Sequence, residues 1–357
     1  MTVSHPTPTH PGRPDAAPPM RLLFWESTVR CNLACRHCRR LDVAEELAES
    51  DLTTEQVFGI VDSLVELGRP IFVFSGGEPL MRDDWERTAA YARRREVPTA
   101  LATNGTLIDE ATAQRISDAG FRRVSISLDG ADPATHDAFR GLPGAFEQAC
   151  RGIRLLRNVD VPVQINATIA AHNDSQLDDL YTLAKSLDVI ALHLFLLVPV
   201  GCGTQLTESH QLGPERYERV LNWICDRRLA GSDIEIKPTC APHYYRVAAE
   251  RGLPAARGRG CLCGLSVAFV SHQGRIFPCG YLPVEAGRVP DQPLQQIWRE
   301  SEVFAALRDF DRLGGKCGRC EYKTICGGCR ARALAQTGDY LSEEPACTHR
   351  PTRQKSK

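Results

Sequence analysis

The 357-residue sequence has no uninterrupted apolar run of about 18 residues, so no segment reads as a transmembrane helix. It lacks the basic start and apolar stretch of a secretory signal, and a cytoplasmic location is expected. Its formal net charge is −1. There is no overall basic excess to attract nucleic acid and no acidic tail to hold a basic partner. Cysteine is what it has in excess: there are fifteen. In a short secreted chain they would staple a small fold. In a long chain with no secretion signal, metal binding in a reducing compartment fits better.

Residues 1–20 carry Pro6, Pro8, Pro11, Pro14, Pro18 and Pro19 among Ser, Thr and His, and read as a disordered leader. Residues 351–357 read as a short frayed tail. Between them, strands are predicted at 22–28, 71–74, 99–102, 124–128, 163–169 and 191–198. Thr53 to Gln56 fits a capping box, and Val57, Ile60, Val61, Leu64 and Leu67 follow at helical spacing. Further helices are predicted near 84–95, 110–119, 145–157 and 175–187. Six strands alternating with helices imply an α/β fold with a parallel sheet. In such folds, ligands sit at the carboxyl ends of the strands. After about residue 235 the periodicity weakens, and nine of the fifteen cysteines lie between Cys240 and Cys347. The expected division is a core at 21–235 and a metal-organised domain at 236–350.

Cys31, Cys35 and Cys38 follow the first strand directly. Three thiolates on a tight loop can hold three irons of a cubane cluster and leave the fourth iron open. A closed zinc site needs a fourth ligand, which His37 or a distant residue could supply, so zinc stays open on spacing alone.

Cys31-Asn32-Leu33-Ala34-Cys35-Arg36-His37-Cys38 resembles the radical S-adenosylmethionine (SAM) superfamily motif. Gly76, Gly77 and Glu78, ending the second strand, resemble that family's methionine-binding loop. Asn104 resembles another recurring strand end. Ser125, Ser127 and Asp129 match the strand that faces the cofactor's ribose and methionyl part. The resemblance implies a partial (β/α)6 barrel, a SAM-cleaving [4Fe–4S] cluster, SAM itself, and a reductant such as flavodoxin or ferredoxin.

Cys317, Cys320, Cys326, Cys329 and Cys347, with Cys261 and Cys279 upstream, resemble the cysteine-rich SPASM extension, which carries one or two auxiliary iron–sulfur clusters. By that resemblance Cys317, Cys320, Cys326 and Cys347 hold one cluster. Cys261, Cys279 and Cys329 belong to the other, whose fourth ligand is Cys240, Cys263 or substrate. Cys326 and Cys329 are separated by two residues where many members have three, which leaves this division open. Two Cys-x2-Cys pairs also suit a zinc ribbon. Cys150, Cys202 and Cys225 read as buried thiols.

Three further segments, 191–203, 239–246 and 277–287, are similar to the radical haem b synthases of the siroheme-dependent haem pathway. That likeness implies oxidative decarboxylation of two propionates of iron-coproporphyrin III to vinyl groups, and an auxiliary cluster would receive the electron left behind. A tetrapyrrole needs apolar walls and cationic or hydrogen-bonding groups for its carboxylates. His193, His243, Tyr244, Tyr245 and Arg246 are the candidates for those contacts. The alternatives are a SPASM maturase acting on a ribosomal peptide and a non-catalytic zinc-binding interaction protein. The short stretch before the first strand disfavours the peptide-clasping domain that many maturases carry.

Overall fold

The computed structural model describes residues 17–39, 51–206, 210–253 and 259–352. The expected leader up to residue 16 and the tail from 353 lie outside them. The first six strands are β1 (Leu22–Glu26), β2 (Ile71–Ser75), β3 (Thr99–Thr103), β4 (Val124–Ser127), β5 (Val163–Ile169) and β6 (Ala191–Leu196). Each pairs parallel with the next. The connecting helices are α1 (Thr54–Glu66), α2 (Trp85–Arg94), α3 (Glu110–Ala119), α4 (Pro133–Arg140), α5 (Ala145–Asn158) and α6 (Leu177–Ser186).

Local chemistry explains these boundaries. The Gln56 N–H donates to Thr53 Oγ1 (3.3 Å) and the Thr53 N–H to Gln56 Oε1 (2.8 Å), closing the capping box of α1. Asp109 and Asp132 cap α3 and α4 in the same way, by accepting from the Thr112 and Thr135 N–H groups. Gly120 and Gly141 end those helices in the left-handed conformation.

Strand register sorts the side chains into two faces. Leu23, Trp25, Phe72, Phe74, Leu101, Val124, Ile126, Ile165, Leu192 and Leu194 share the helix-covered face, and all are at most 1 % exposed. Each such burial stabilises the fold by roughly 1.5–3 kcal/mol. The other face carries Phe24, Ser125, Ser127, Asn166, Thr168, His193 and Phe195, all half-buried. It is therefore an open inner surface, and it leads up to the strand ends.

The sheet continues past the six strands. α7 (Pro214–Leu229) leads to β7 (Glu235–Thr239), which lies parallel to β6. After α8 (His243–Glu250), β8 (Val267–Val270) returns to lie parallel to β1 on its free side. The antiparallel strands β9 (Arg275–Phe277) and β10 (Gly287–Arg288) complete a ten-stranded sheet. Residues from 235 onward thus supply four of its strands. The chain continues through α9 (Leu294–Glu300), α10 (Glu302–Arg308), α11 (Gly315–Gly318) and α12 (Arg330–Thr337).

Arg332 on α12 ties this part to the core. It is 2 % exposed. It donates to Glu344 Oε2 (3.0 Å) and to the Cys240 carbonyl (2.9 Å), and reaches the Leu196 and Leu197 carbonyls at the end of β6. Burial opposes ionisation of Glu344, but Arg332 and His243 outweigh it and hold its carboxyl below the usual range. The pair's stabilisation is present above the ordinary carboxylate range and lost as pH falls through the depressed value. No helix among the described residues is long and apolar enough to cross a membrane.

Candidate active site and auxiliary metal centres

The Cys31–Cys38 loop leaves the end of β1 and is gripped from several strands. A Cβ on Gly77 would lie 2.2 Å from the Arg30 carbonyl oxygen, and one on Gly76 would lie 2.5 Å from that of Thr28. Only glycine lets the β2 end lie this close to the chain entering the loop. The Gly77 and Glu78 N–H groups donate to the Thr28 (2.7 Å) and Arg30 (2.8 Å) carbonyls. Beyond the loop, Arg39 Nη2 donates to Glu26 Oε1 (2.7 Å), and Glu26 Oε2 lies 2.8 Å from His272 Nδ1. Behind it, the Cys202 N–H donates to the Cys38 carbonyl (2.8 Å).

Glu78 is fully buried. It accepts from Thr103 Oγ1 (2.7 Å), the Asn104 N–H (2.8 Å) and the Leu80 N–H (3.2 Å). Burial pushes its carboxyl up despite these donors. Its role within the protein is to pin the β2 end to the β3 end. Asn104 continues the link: its Nδ2 donates to Asn32 Oδ1 (2.8 Å) and lies 3.9 Å from Cys31 Sγ.

Asp129, at the β4 end, is also fully buried. Its Oδ1 accepts from the Thr168 N–H (2.6 Å), and Arg140 Nη2 lies 2.6 Å from Oδ2. Its carbonyl accepts from Asn173 Nδ2 (2.6 Å), and its N–H donates to His136 Nδ1 (3.0 Å). Burial opposes its ionisation, but Arg140, His37 and His136 outweigh that and hold the carboxyl below the usual range. Arg140 also places Nη1 3.7 Å from Cys35 Sγ. His37 stacks on Phe139 with ring centroids 4.1 Å apart, and burial pushes its pKa down to about 3, so the imidazole is neutral at pH 7.

These donors suit a cluster. The Leu33 N–H, Asn104 and Arg140 all point at ligand sulfurs, and N–H···S contacts tune iron–sulfur sites. Without a metal, burial pushes the Cys31 thiol up to about 12. A tetrahedral zinc site brings its ligand atoms to about 3.8 Å of one another. Among the described residues, only Cys320, Glu321 and His349 bring three such atoms within 4.8 Å. Cys31, Cys35, Cys38 and His37 do not form that closed set.

The downstream cysteines gather in two places. Cys317, Cys320, Cys326 and Cys347 line one cavity with His243, Arg246 and Lys316. Cys240, Cys261, Cys263, Cys279 and Cys329 meet at the other, with Cys261 and Cys263 sulfurs 3.3 Å apart and Cys240 among Cys329, Cys279 and Cys261. A narrow bridge joins them. The Cys329 N–H donates to Glu344 Oε2 (2.7 Å), the Glu344 N–H to Cys317 Sγ (3.3 Å), and Arg330 Nη2 to Cys317 Sγ (3.8 Å). The fifteen cysteines form no disulfide with one another.

Residues 25–184 match the radical SAM superfamily, and residues 261–330 match the SPASM iron–sulfur cluster-binding domain. The AdoMet-dependent heme synthase of Methanosarcina barkeri is 46% identical over 343 residues, covering 93% of this chain and 97% of that protein. The protein of the same name from Nitratidesulfovibrio vulgaris is 42% identical, covering 98% of each. The chain belongs to the AdoMet-dependent heme synthase family. The crystal structure of Streptococcus suis SuiB bound to S-adenosylmethionine shares its fold, with a TM-score of 0.76 at 16% identity, covering 94% of this chain and 78% of that one.

Like other radical SAM enzymes, this heme synthase family member uses a [4Fe–4S] cluster with SAM, and its SPASM domain carries auxiliary iron–sulfur clusters. The reading as a non-catalytic zinc-binding protein is thereby overturned. Ser125 and Ser127 lie on the inner face, in register with Gln164 and Asn166. His193 lies on the same face, where Gln164 Nε2 is 2.9 Å from its Nδ1 and Glu235 Oε1 is 3.6 Å from its Nε2.

The other candidate contacts are elsewhere. Tyr244 is 2 % exposed in the core, and its hydroxyl accepts from Arg228 Nη1 (2.6 Å). Tyr245 packs beside it. His243 and Arg246 line the cavity of Cys317 and its neighbours, and Arg246 is held by Glu218 and Glu250. His243 has no hydrogen-bond partner on either ring nitrogen among the described residues. These four residues therefore face the core and an auxiliary site, because α8 turns them away from the inner surface.

Arg140, His136 and Asn173 are site residues that sequence reasoning missed. Asp132-Pro133 is a helix start, and His136 and Arg140 stand four apart on one face of the helix that follows. That signal could have found two of them.

Proposed function

We propose that this enzyme oxidatively decarboxylates two propionate side chains of iron-coproporphyrin III to vinyl groups, giving haem b. The end-to-end likeness to AdoMet-dependent heme synthases carries this reading. Cys31, Cys35 and Cys38 would hold the SAM-cleaving cluster, with the Gly76–Glu78 loop, Asn104, Ser125, Ser127 and Asp129 around the cofactor. When bound, cluster and cofactor supply a 5′-deoxyadenosyl radical that takes hydrogen from a propionate β-carbon, after which carbon dioxide and one electron leave.

The chain's own residues prepare that chemistry. Asp129 and Arg140 fix a buried charge pair next to the cysteine loop, so the site presents oriented dipoles rather than water. The inner face offers Phe24 and Phe195 as apolar wall and His193, Gln164 and Asn166 as hydrogen-bonding groups for a carboxylate-bearing ring. The five-thiol site gives the departing electron somewhere to go. A peptide substrate is the weaker reading, since the PqqA peptide cyclase of Granulibacter bethesdensis is 29% identical.

Anaerobic incubation with dithionite, SAM and iron-coproporphyrin III, read by mass spectrometry, tests the proposal. The expected products have lost carbon dioxide and two hydrogens, once and then twice. Porphyrin recovered unchanged alongside 5′-deoxyadenosine would exclude this substrate.

A further inference from the structure

The chain leaves the cysteine loop at Arg39, and this residue turns onto the inner face of the sheet. Phe24 and Glu26 share that face of β1, and Phe269 of β8 stands beside Phe24 in register. The Arg39 guanidinium lies over the Phe269 ring, 4.3 Å from its centroid. The backbone around it is packed close. A Cβ on Gly201, just after β6, would lie 2.4 Å from the Arg39 backbone, which only glycine avoids. A Cβ on Gly280 would lie 3.7 Å from Arg39 Nε.

Glu26 holds the guanidinium by one corner. Arg39 Nη2 donates to Glu26 Oε1 (2.7 Å), while Glu26 Oε2 lies 2.8 Å from His272 Nδ1 and accepts from the His272 N–H (3.3 Å). The Glu26 side chain is 1 % exposed, but that of Arg39 is 20 % exposed. Arg39 Nε and Nη1 have no acceptor among the described residues. A guanidinium offers a planar fork of N–H donors, and most of this one is unused.

Tyr281 brings a second donor to the same place. It follows Gly280, is half-buried, and packs in the cluster of Val198, Cys263 and Cys329. Burial pushes the pKa of its hydroxyl up, and the charges that act on it are those of Cys240, Arg39, Cys279 and Asp129. The phenol therefore has the cofactor side before it and the auxiliary thiols behind it. Its hydroxyl has no hydrogen-bond partner among the described residues. The ion pairs here balance, Glu26 with Arg39 and Asp129 with Arg140. An incoming anion would be held by directed donors rather than by an excess of charge. Unfilled donors beside an aromatic ring suit a planar carboxylate carried by an apolar body.

We propose that Arg39 and Tyr281 bind a propionate carboxylate of the tetrapyrrole that the reaction keeps. The inference rests on the substrate proposed above. Only two of its propionates lose carbon dioxide. An ion pair stabilises a carboxylate against that loss, so this anchor suits one that stays. A ring anchored there lies between the cofactor site and the five-thiol site.

Soret-band titrations of the anaerobic holoenzyme, without reductant, test the anchor. Arg39→Lys keeps a cation for Glu26 but not the fork, and Tyr281→Phe removes only the hydroxyl. In each variant the dissociation constants of iron-coproporphyrin III and of haem b are expected to rise about 10-fold. Iron content and SAM affinity should stay near those of the wild type. Unchanged porphyrin affinity in either variant would overturn the pair. A parallel loss of SAM affinity or of iron would also overturn it, because the residues would then shape the cysteine loop itself. Weaker binding of iron-coproporphyrin III with unchanged binding of haem b would overturn the assignment to a kept carboxylate. A wild-type enzyme that cleaves SAM but binds neither porphyrin would defeat the substrate reading, and the anchor with it.

Discussion

Cys35→Ala is expected to lower 5′-deoxyadenosine formation by about a thousandfold or more, while iron and sulfide remain at the auxiliary sites. Cys35 is the central thiol of the loop and 8 % exposed. The Arg140 guanidinium already stands 3.7 Å from its sulfur. With the thiol gone, one iron loses its ligand, and no neighbouring side chain replaces it. His37 is stacked on Phe139, and Asp129 is engaged with Arg140 and the Thr168 N–H. The auxiliary thiols come from other elements and should load independently. Anaerobic metal analysis and chromatography of 5′-deoxyadenosine check both halves. Undiminished 5′-deoxyadenosine would contradict the assignment of Cys35.

Cys326→Ala is expected to act on the other end of the reaction. The cavity of Cys317, Cys320, Cys326 and Cys347 has four thiols and no spare. Removing one should empty it, and the bridge through Glu344 and Arg330 then leads nowhere. SAM cleavage should survive, but vinyl product formed per 5′-deoxyadenosine should fall about 10-fold or more. Cys263→Ala is the contrast. It leaves Cys240, Cys261, Cys279 and Cys329, which is enough for a complete ligand set, so coupling should stay near that of the wild type. Equal coupling in Cys326→Ala and wild type, measured by product-to-5′-deoxyadenosine ratio, would remove the auxiliary site from the electron path.

The strand ends were legible because short apolar-rich runs stopped abruptly at polar or glycine-rich groups. Ile71 to Ser75 leading into Gly76-Gly77-Glu78 is the plainest case. The four later strands were not legible. In β7 only Ile236 is buried, and Pro238 reads as a breaker; β8 is four residues long. Their pairing depends on tertiary contact with β6 and β1, which no local pattern carries.

The site shows the same split. Cysteine spacing and strand-end motifs pointed to the cofactor residues, since those signals are local. That Glu78 holds the β3 end through Thr103 and Asn104 could not be read locally, because its partners are 25 and 26 residues away. The direction in which α8 turns Tyr244 and His243 was likewise set by packing. Tyr244 meets Arg228 of α7, and His243 faces Glu344 at 3.7 Å, near the end of the chain.

The most direct measurement follows the abstracted hydrogen atom. Iron-coproporphyrin III deuterated at the propionate β-carbons is incubated anaerobically with enzyme, reductant and unlabelled SAM, and the 5′-deoxyadenosine is weighed by mass spectrometry. One deuterium should appear in the 5′-deoxyadenosine for each propionate converted. Vinyl product accompanied by unlabelled 5′-deoxyadenosine would show that the radical formed at Cys31, Cys35 and Cys38 is not what attacks the porphyrin.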